Sequence, residues 1–162
     1  MKYLGVDCGI HGGLAILEIN DNAAPQVLAA IDVPTIGVKA KERVDVIALQ
    51  EWLLQHGPAQ AFIERAQAMP RQGSSSGFKY GKATGSLETT IALCGIPTEI
   101  IEASAWKRFF HLHAGDKEGA RQLALQRFPS AHGLLARRKD HNRAEAMLIA
   151  LFASARAGRV AA

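Results

Sequence analysis

The sequence predicts one α/β domain: a five-stranded mixed sheet, an antiparallel meander joined to parallel strands, flanked by helices. Two observations predict it. Three short strand-like runs, residues 2–8, 13–19 and 26–33, follow one another through connections too short for a crossover helix, which makes a meander. Downstream, segments of helical period alternate with two more strand-length apolar runs, and that alternation covers a sheet with helices. A chain of 162 residues fits a single domain, 1–162, that buries its own core without disulfides.

Each element has a local reason. The first two strands are joined by "GIHG", and "QVLAAIDV" supplies the third. In "DVIALQEWLLQH", 45–56, Val46, Leu49, Leu53 and Leu54 recur at helical spacing, and Gly57-Pro58 ends the run. "QAFIE" returns as a buried strand with Glu64 at its end. Residues 66–77, rich in Gly and Ser, read as a loop before a helix from Phe78 to about Leu93. "TEIIEA" is the fifth strand, "SAWKRFF" a short helix capped by Ser104, and "DKEGARQLALQRF" an amphipathic helix closed by Pro129. A basic loop, 136–139, leads into the last helix, "NRAEAMLIALFASAR".

Composition narrows the function. Hydrophobic residues at 48% and charged ones at 21% exclude a disordered or fibrous chain. The longest apolar runs fall short of the ~20 residues of a membrane helix, and the N-terminus lacks a signal-peptide layout, so a cytoplasmic location without membrane partners is expected. Cys8 and Cys94 lack metal-ligand spacing and read as reduced core residues. The net charge is +4, with basic residues concentrated in the second half, a distribution that suits a polyanion.

Three acids stand where acids are costly. Asp7 and Glu64 each end an apolar strand, the edge at which ligand sites open in α/β sheets. A carboxylate there must be solvated, paired or bound to a cation. For Asp7 the alternative is a turn-opening residue, and for Glu64 a pair with Arg65 or another base. Glu145 borders the apolar stripe of Ala144, Leu148, Leu151 and Phe152, with His141 one turn before it. Asp140 is either a helix cap or a fourth acid. Such a set of hard oxygen donors suits Mg²⁺, and two ions about 4 Å apart would support phosphodiester hydrolysis.

Taken in order, "YLGVDCGIHGGLAIL", "AFIERAQAMPRQGSSSGFKYGKATG", "WKRFF…DKEGARQLALQRFP" and "KDHNRAEAMLIALF" resemble the RuvC-like Holliday-junction resolvases, more closely the compact type of phages and prophages. The resemblance covers nearly the whole chain. It implies a ribonuclease-H-like fold, a homodimer, Mg²⁺ or Mn²⁺ with two ions per site, and paired nicks of a four-way DNA junction leaving 5′-phosphate and 3′-hydroxyl ends. Asp7, Glu64 and Glu145 match its metal-binding acids, the last usually an Asp. Where bacterial members place an acid or His three residues before that acid, this chain has Asn142. The fourth ligand then falls to Asp140, with His141 as rival. Lys107 and Lys117 match basic residues near the scissile phosphate, the alternative being ordinary surface lysines.

DNA contacts are expected from Arg71, Lys79, Tyr80, Lys82, Arg108, Arg137, Arg138, Lys139 and Arg143. Phe78 either stacks on an unpaired base or opens the core of its helix. His11 reads as a loop residue near DNA, and the apolar helix 78–93 as a dimer surface. Three rivals accompany this reading: a less selective nuclease for flaps, forks or RNA-DNA hybrids; a sugar-kinase-like ATPase, disfavoured because it needs two lobes; and a catalytically silent junction-binding protein.

Overall fold

The computed structural model describes residues 1–20, 23–38, 41–67 and 73–156. Arg71, one of the expected DNA contacts, lies outside them. Strand β1 (Lys2–Asp7) is central, pairing antiparallel with β2 (Gly13–Glu18) on one side and parallel with β6 (Gln60–Glu64) on the other. Outside these, β3 (Gln26–Asp32) is antiparallel to β2, and β7 (Thr98–Ile101) is parallel to β6. The sheet order is β3-β2-β1-β6-β7. This is the five-stranded mixed sheet the sequence predicts. Two short strands that the sequence does not announce, β4 (Thr35–Ile36) and β5 (Arg43–Val44), form a separate antiparallel pair.

Strand alternation divides the core. Leu4 and Val6 of β1, with Leu14, Ile16, Ala61 and Ile63, face helices α1 (Val46–His56) and α2 (Ser74–Leu93). Tyr3, Ala15, Leu17, Phe62 and Ile101 face the opposite layer. There, α5 (His141–Arg156) lies directly on the sheet, covered in turn by α3 (Ala103–Phe109) and α4 (Lys117–Arg127). Because α5 is enclosed on both sides, every residue from Ala144 to Ser154 is buried. Where the sequence predicts an apolar stripe, the helix is buried all round from Ala144 to Ser154, as befits the middle of a layered core. Two glycines let it come so close: a side chain at Gly5 would collide with the Ala146 carbonyl, and one at Gly13 with that of Asn142.

The other helices depart from expectation in instructive ways. Asp45 caps α1 by accepting from the Ala48 N–H at 3.1 Å, and Gly57 closes it with φ 58°. Only Leu49 and Leu53 of that helix are buried; Val46 and Leu54, expected in the apolar stripe, are exposed. α2 begins at Ser74, four residues before Phe78, because a helix packed along Ala83, Leu87 and Ile91 propagates backward through residues of poor intrinsic propensity. Ser104 does not cap α3. The cap position is Glu102, which makes no side-chain cap bond, and Ser104 sits within the helix, exposed. Asp116 caps α4 through the Gly119 N–H at 2.8 Å, and Pro129 opens a 3₁₀ segment, Pro129–Leu135. Both cysteines are free, Cys8 buried and Cys94 only half-buried.

Candidate metal and nucleic-acid site

β1 and β6 run parallel in a register that pairs Val6 with Ile63, so their next residues, Asp7 and Glu64, end side by side at one edge of the sheet. Tyr3, Gly5 and Asp7 share one face of β1, and Phe62 and Glu64 share one face of β6; both are the face covered by α5. α5 brings Glu145, one residue before the Ala146 that rests on Gly5, to the same corner. Asp7 and Glu145 are buried and Glu64 is half-buried.

The electrostatics show that the three acids form one group. Burial pushes the Asp7 carboxyl well above the usual range, Glu145 and Glu64 push it further, and Lys107 and Lys117 pull it back. Burial also raises Glu64, opposed by a hydrogen bond from Trp106 and by Lys107. Lys107 reaches into the group, its Nζ 3.6 Å from Glu145 Oε1, and lies over the Trp106 ring at 5.0 Å from the centroid. Trp106 was not legible as a site residue. It is fully buried, and its Nε1–H donates to Glu64 Oε2 at 2.7 Å. Arg65, the partner expected for Glu64, instead pairs with Glu102.

Among the described residues, no three His, Cys, Asp or Glu side chains close into a metal cage. Mg²⁺ does not need one, because it keeps several waters and takes one or two carboxylates together with substrate phosphates. A donor set of carboxylate oxygens, with Asp7 buried beside Glu145 and Glu64, fits a hard divalent cation, which would offset their charge.

Asp140 is differently placed. It is buried at the end of a 3₁₀ turn, Arg138–Asp140. Burial raises its carboxyl, but hydrogen bonds from the side chain and backbone of Arg137 outweigh this and hold it below the usual range. Arg137 donates through Nη2 at 2.7 Å and through its backbone N–H at 2.8 Å. Both of its oxygens are thus engaged by Arg137. His141 opens α5 half-buried, its Nδ1 3.0 Å from the Arg138 carbonyl.

A cleft of about 890 Å³ opens beside Glu64, lined by Tyr80, Ser104, Lys107, Arg108 and His113 among others. Tyr80 is half-buried, and burial together with Cys8, Glu64 and Asp7 pushes its phenol up to about 12. Phe78 is 73% exposed, which removes its reading as a core residue and leaves a ring open to solvent. Lys79 and Lys82 stand exposed on the same helix. A second cleft, about 320 Å³, is lined by Lys117, Glu118, Arg138, Lys139 and His141. Arg143 is engaged internally, bound through two nitrogens to Asp32 at 2.7 and 2.9 Å. His11 is exposed, 4.0 Å from Glu42, and its carbonyl accepts from Asn142.

No protein-family model matches the chain, and a search of curated proteins finds no match. Solved structures do match. The Thermus thermophilus RuvC in complex with a Holliday junction substrate aligns at TM-score 0.67 and 22% identity over 98% of both chains. The fold is that of RuvC. The fowlpox virus Holliday junction resolvase shares it at TM-score 0.59 and 14% identity, over 97% of this chain and 99% of that one. The yeast mitochondrial Holliday junction resolvase shares it at TM-score 0.52 and 13% identity, over 93% of this chain and 77% of that one. In this RuvC-like frame the acids occupy strand and helix positions that the sheet and α5 fix rigidly. Of the expected basic contacts, Lys79 and Lys82 sit on α2, Lys107 and Arg108 on α3, Lys117 at the start of α4, and Arg138 and Lys139 in the turn before α5.

Proposed function

We propose that the chain is a metal-dependent endodeoxyribonuclease that resolves four-way DNA junctions by paired symmetric nicks. The observation that supports this reading best is the electrostatic group of Asp7, Glu64 and Glu145, joined by Lys107, at one corner of a RuvC-like sheet. Asp7, Glu64 and Glu145 would hold Mg²⁺ or Mn²⁺, with Asp140 or His141 as a further ligand. The metal supplies Lewis acidity that polarises a phosphate oxygen and makes water a better nucleophile at neutral pH.

The chain's own residues then have distinct tasks. Asp7 and Glu64 are placed by neighbouring strands, so their spacing cannot drift as a backbone enters. Lys107 leaves Glu145 for the scissile phosphate, where it balances the charge that develops during in-line displacement. Lys117 adds charge at the start of α4, an end that already attracts phosphate. Lys79, Lys82, Arg108, Arg138 and Lys139 hold the flanking backbone, and Phe78 stacks on an unpaired base at the crossover. Tyr80 lines the path of the strand beside Glu64.

A two-fold homodimer suits a two-fold junction, since each site then meets an equivalent strand. We place the contact on the exposed apolar side chains of α1 and α2, Val46, Ile47, Leu54 and Leu93. Labelled four-way junctions, flaps, forks and RNA-DNA hybrids cut side by side in Mg²⁺ test the assignment. Two symmetric nicks in the junction, with 5′-phosphate ends, are expected. Preferential cutting of flaps or hybrids would favour the less selective nuclease instead.

A further inference from the structure

Trp106 is the largest fully buried side chain of the molecule, and it lies in the layer between the sheet and α3. A buried indole gives more packing area than almost any other side chain, but it brings an N–H that must find an acceptor. Here the acceptor is not a backbone carbonyl of the core. It is Oε2 of Glu64, at 2.7 Å. The same ring carries the Lys107 ammonium over it, 5.0 Å from the centroid, and that ammonium is 3.6 Å from Glu145. One immobile ring therefore touches an acid and a base of the group directly and a second acid through the base.

The consequence for Glu64 is geometric. A glutamate has three side-chain torsions, and at a strand end its carboxylate would sample several orientations. The N–H fixes one oxygen. Glu64 Oε1 takes no hydrogen bond from any described residue, so it remains available at the corner shared with Asp7. Hydrogen-bonded partners behind a metal-binding side chain commonly set its orientation, and losing one weakens metal binding about 10- to 100-fold.

We infer that Trp106 is a positioning residue: its indole N–H locks the Glu64 carboxylate, and its ring face holds Lys107, in the arrangement that receives a divalent cation. This rests on the metal-dependent reading above. An aromatic side chain of the indole's shape but without the N–H would fill the same space, so removal of the N–H alone distinguishes positioning from packing.

The test uses the full-length chain with two replacements at this position: Trp106→Phe, and benzothienylalanine in place of Trp106, which keeps the indole shape but has sulfur instead of N–H. Mn²⁺ binding without DNA is measured by calorimetry, junction affinity in Ca²⁺, and cleavage against Mg²⁺ concentration. We expect both replacements to weaken Mn²⁺ binding about tenfold or more. Cleavage should fall at low Mg²⁺ and recover substantially at high Mg²⁺, and junction affinity should stay within about twofold of the wild type because no DNA contact is lost. Wild-type Mn²⁺ affinity in both folded replacements would overturn the inference while leaving the proposed function intact. Loss of fold in the benzothienylalanine chain would assign the N–H to stability and overturn it too. Failure of the wild type itself to bind Mn²⁺ would overturn both the inference and the metal-dependent reading.

Discussion

Asp7 is a buried carboxyl beside two other acids, and this makes its ionisation a stability term that can be measured. Its folded-state carboxyl is raised by burial, then by Glu145 and Glu64, whereas in the unfolded chain it has the usual value. The folded protein therefore holds that proton more tightly, and stability is lost as pH rises from the usual carboxylate range through the raised value. Asp7→Asn removes the penalty without changing the shape. Without metal, the variant should melt above the wild type at pH 7, and the difference should vanish below about pH 3, where both forms are uncharged. Mg²⁺ should raise the wild-type Tm and leave that of the variant nearly unchanged. At the neighbouring base, Lys107→Ala should slow cleavage about a hundredfold with junction binding nearly unaltered, a split that single-turnover rates and gel shifts resolve.

Among the elements, α5 matters most, because it presents Glu145 and is enclosed by the sheet and by α3 and α4. Its seat depends on Gly5. Gly5→Ala would push a methyl into the Ala146 carbonyl, and with both neighbours rigid backbone the loss should be about 3 kcal/mol, measurable by urea unfolding. The sequence made these elements readable where periodicity is strong: the meander, the buried β6 and the amphipathic α4 all match their expected positions to within a residue or two. Ambiguity entered where context overrides local preference. The Ser-rich start of α2 is helical because packing farther along sustains it, and α5 is buried all round from Ala144 to Ser154 because a third layer covers it. Side-chain partners across the fold were the least legible. Nothing near Glu64 in the sequence announces Trp106, 42 residues away, and nothing near Arg65 announces Glu102. The alternation of strand residues placed Asp7 and Glu64, but it carries no information on where Asp140 spends its charge.

For the whole molecule, a net charge of +4 is less telling than the distribution of its cations. Some are committed internally, Arg143 to Asp32 and Arg137 to Asp140, while Lys79, Lys82, Arg138 and Lys139 remain exposed. An interface of that kind gains affinity by releasing counterions, so junction binding should weaken at least about a hundredfold between 50 and 200 mM salt, as a salt series of gel shifts would show. On the proposed reading, a cation held by the acids would offset their charge beside a phosphate, which would couple metal and chemistry in one corner. Cleavage of a labelled four-way junction by the wild type and by Asp7→Asn, each with and without Mg²⁺, tests that coupling most directly. The account predicts paired nicks only for the wild type with Mg²⁺, and junction binding for both proteins. Full cutting by Asp7→Asn, or binding without cleavage by the wild type in any divalent metal, would contradict it.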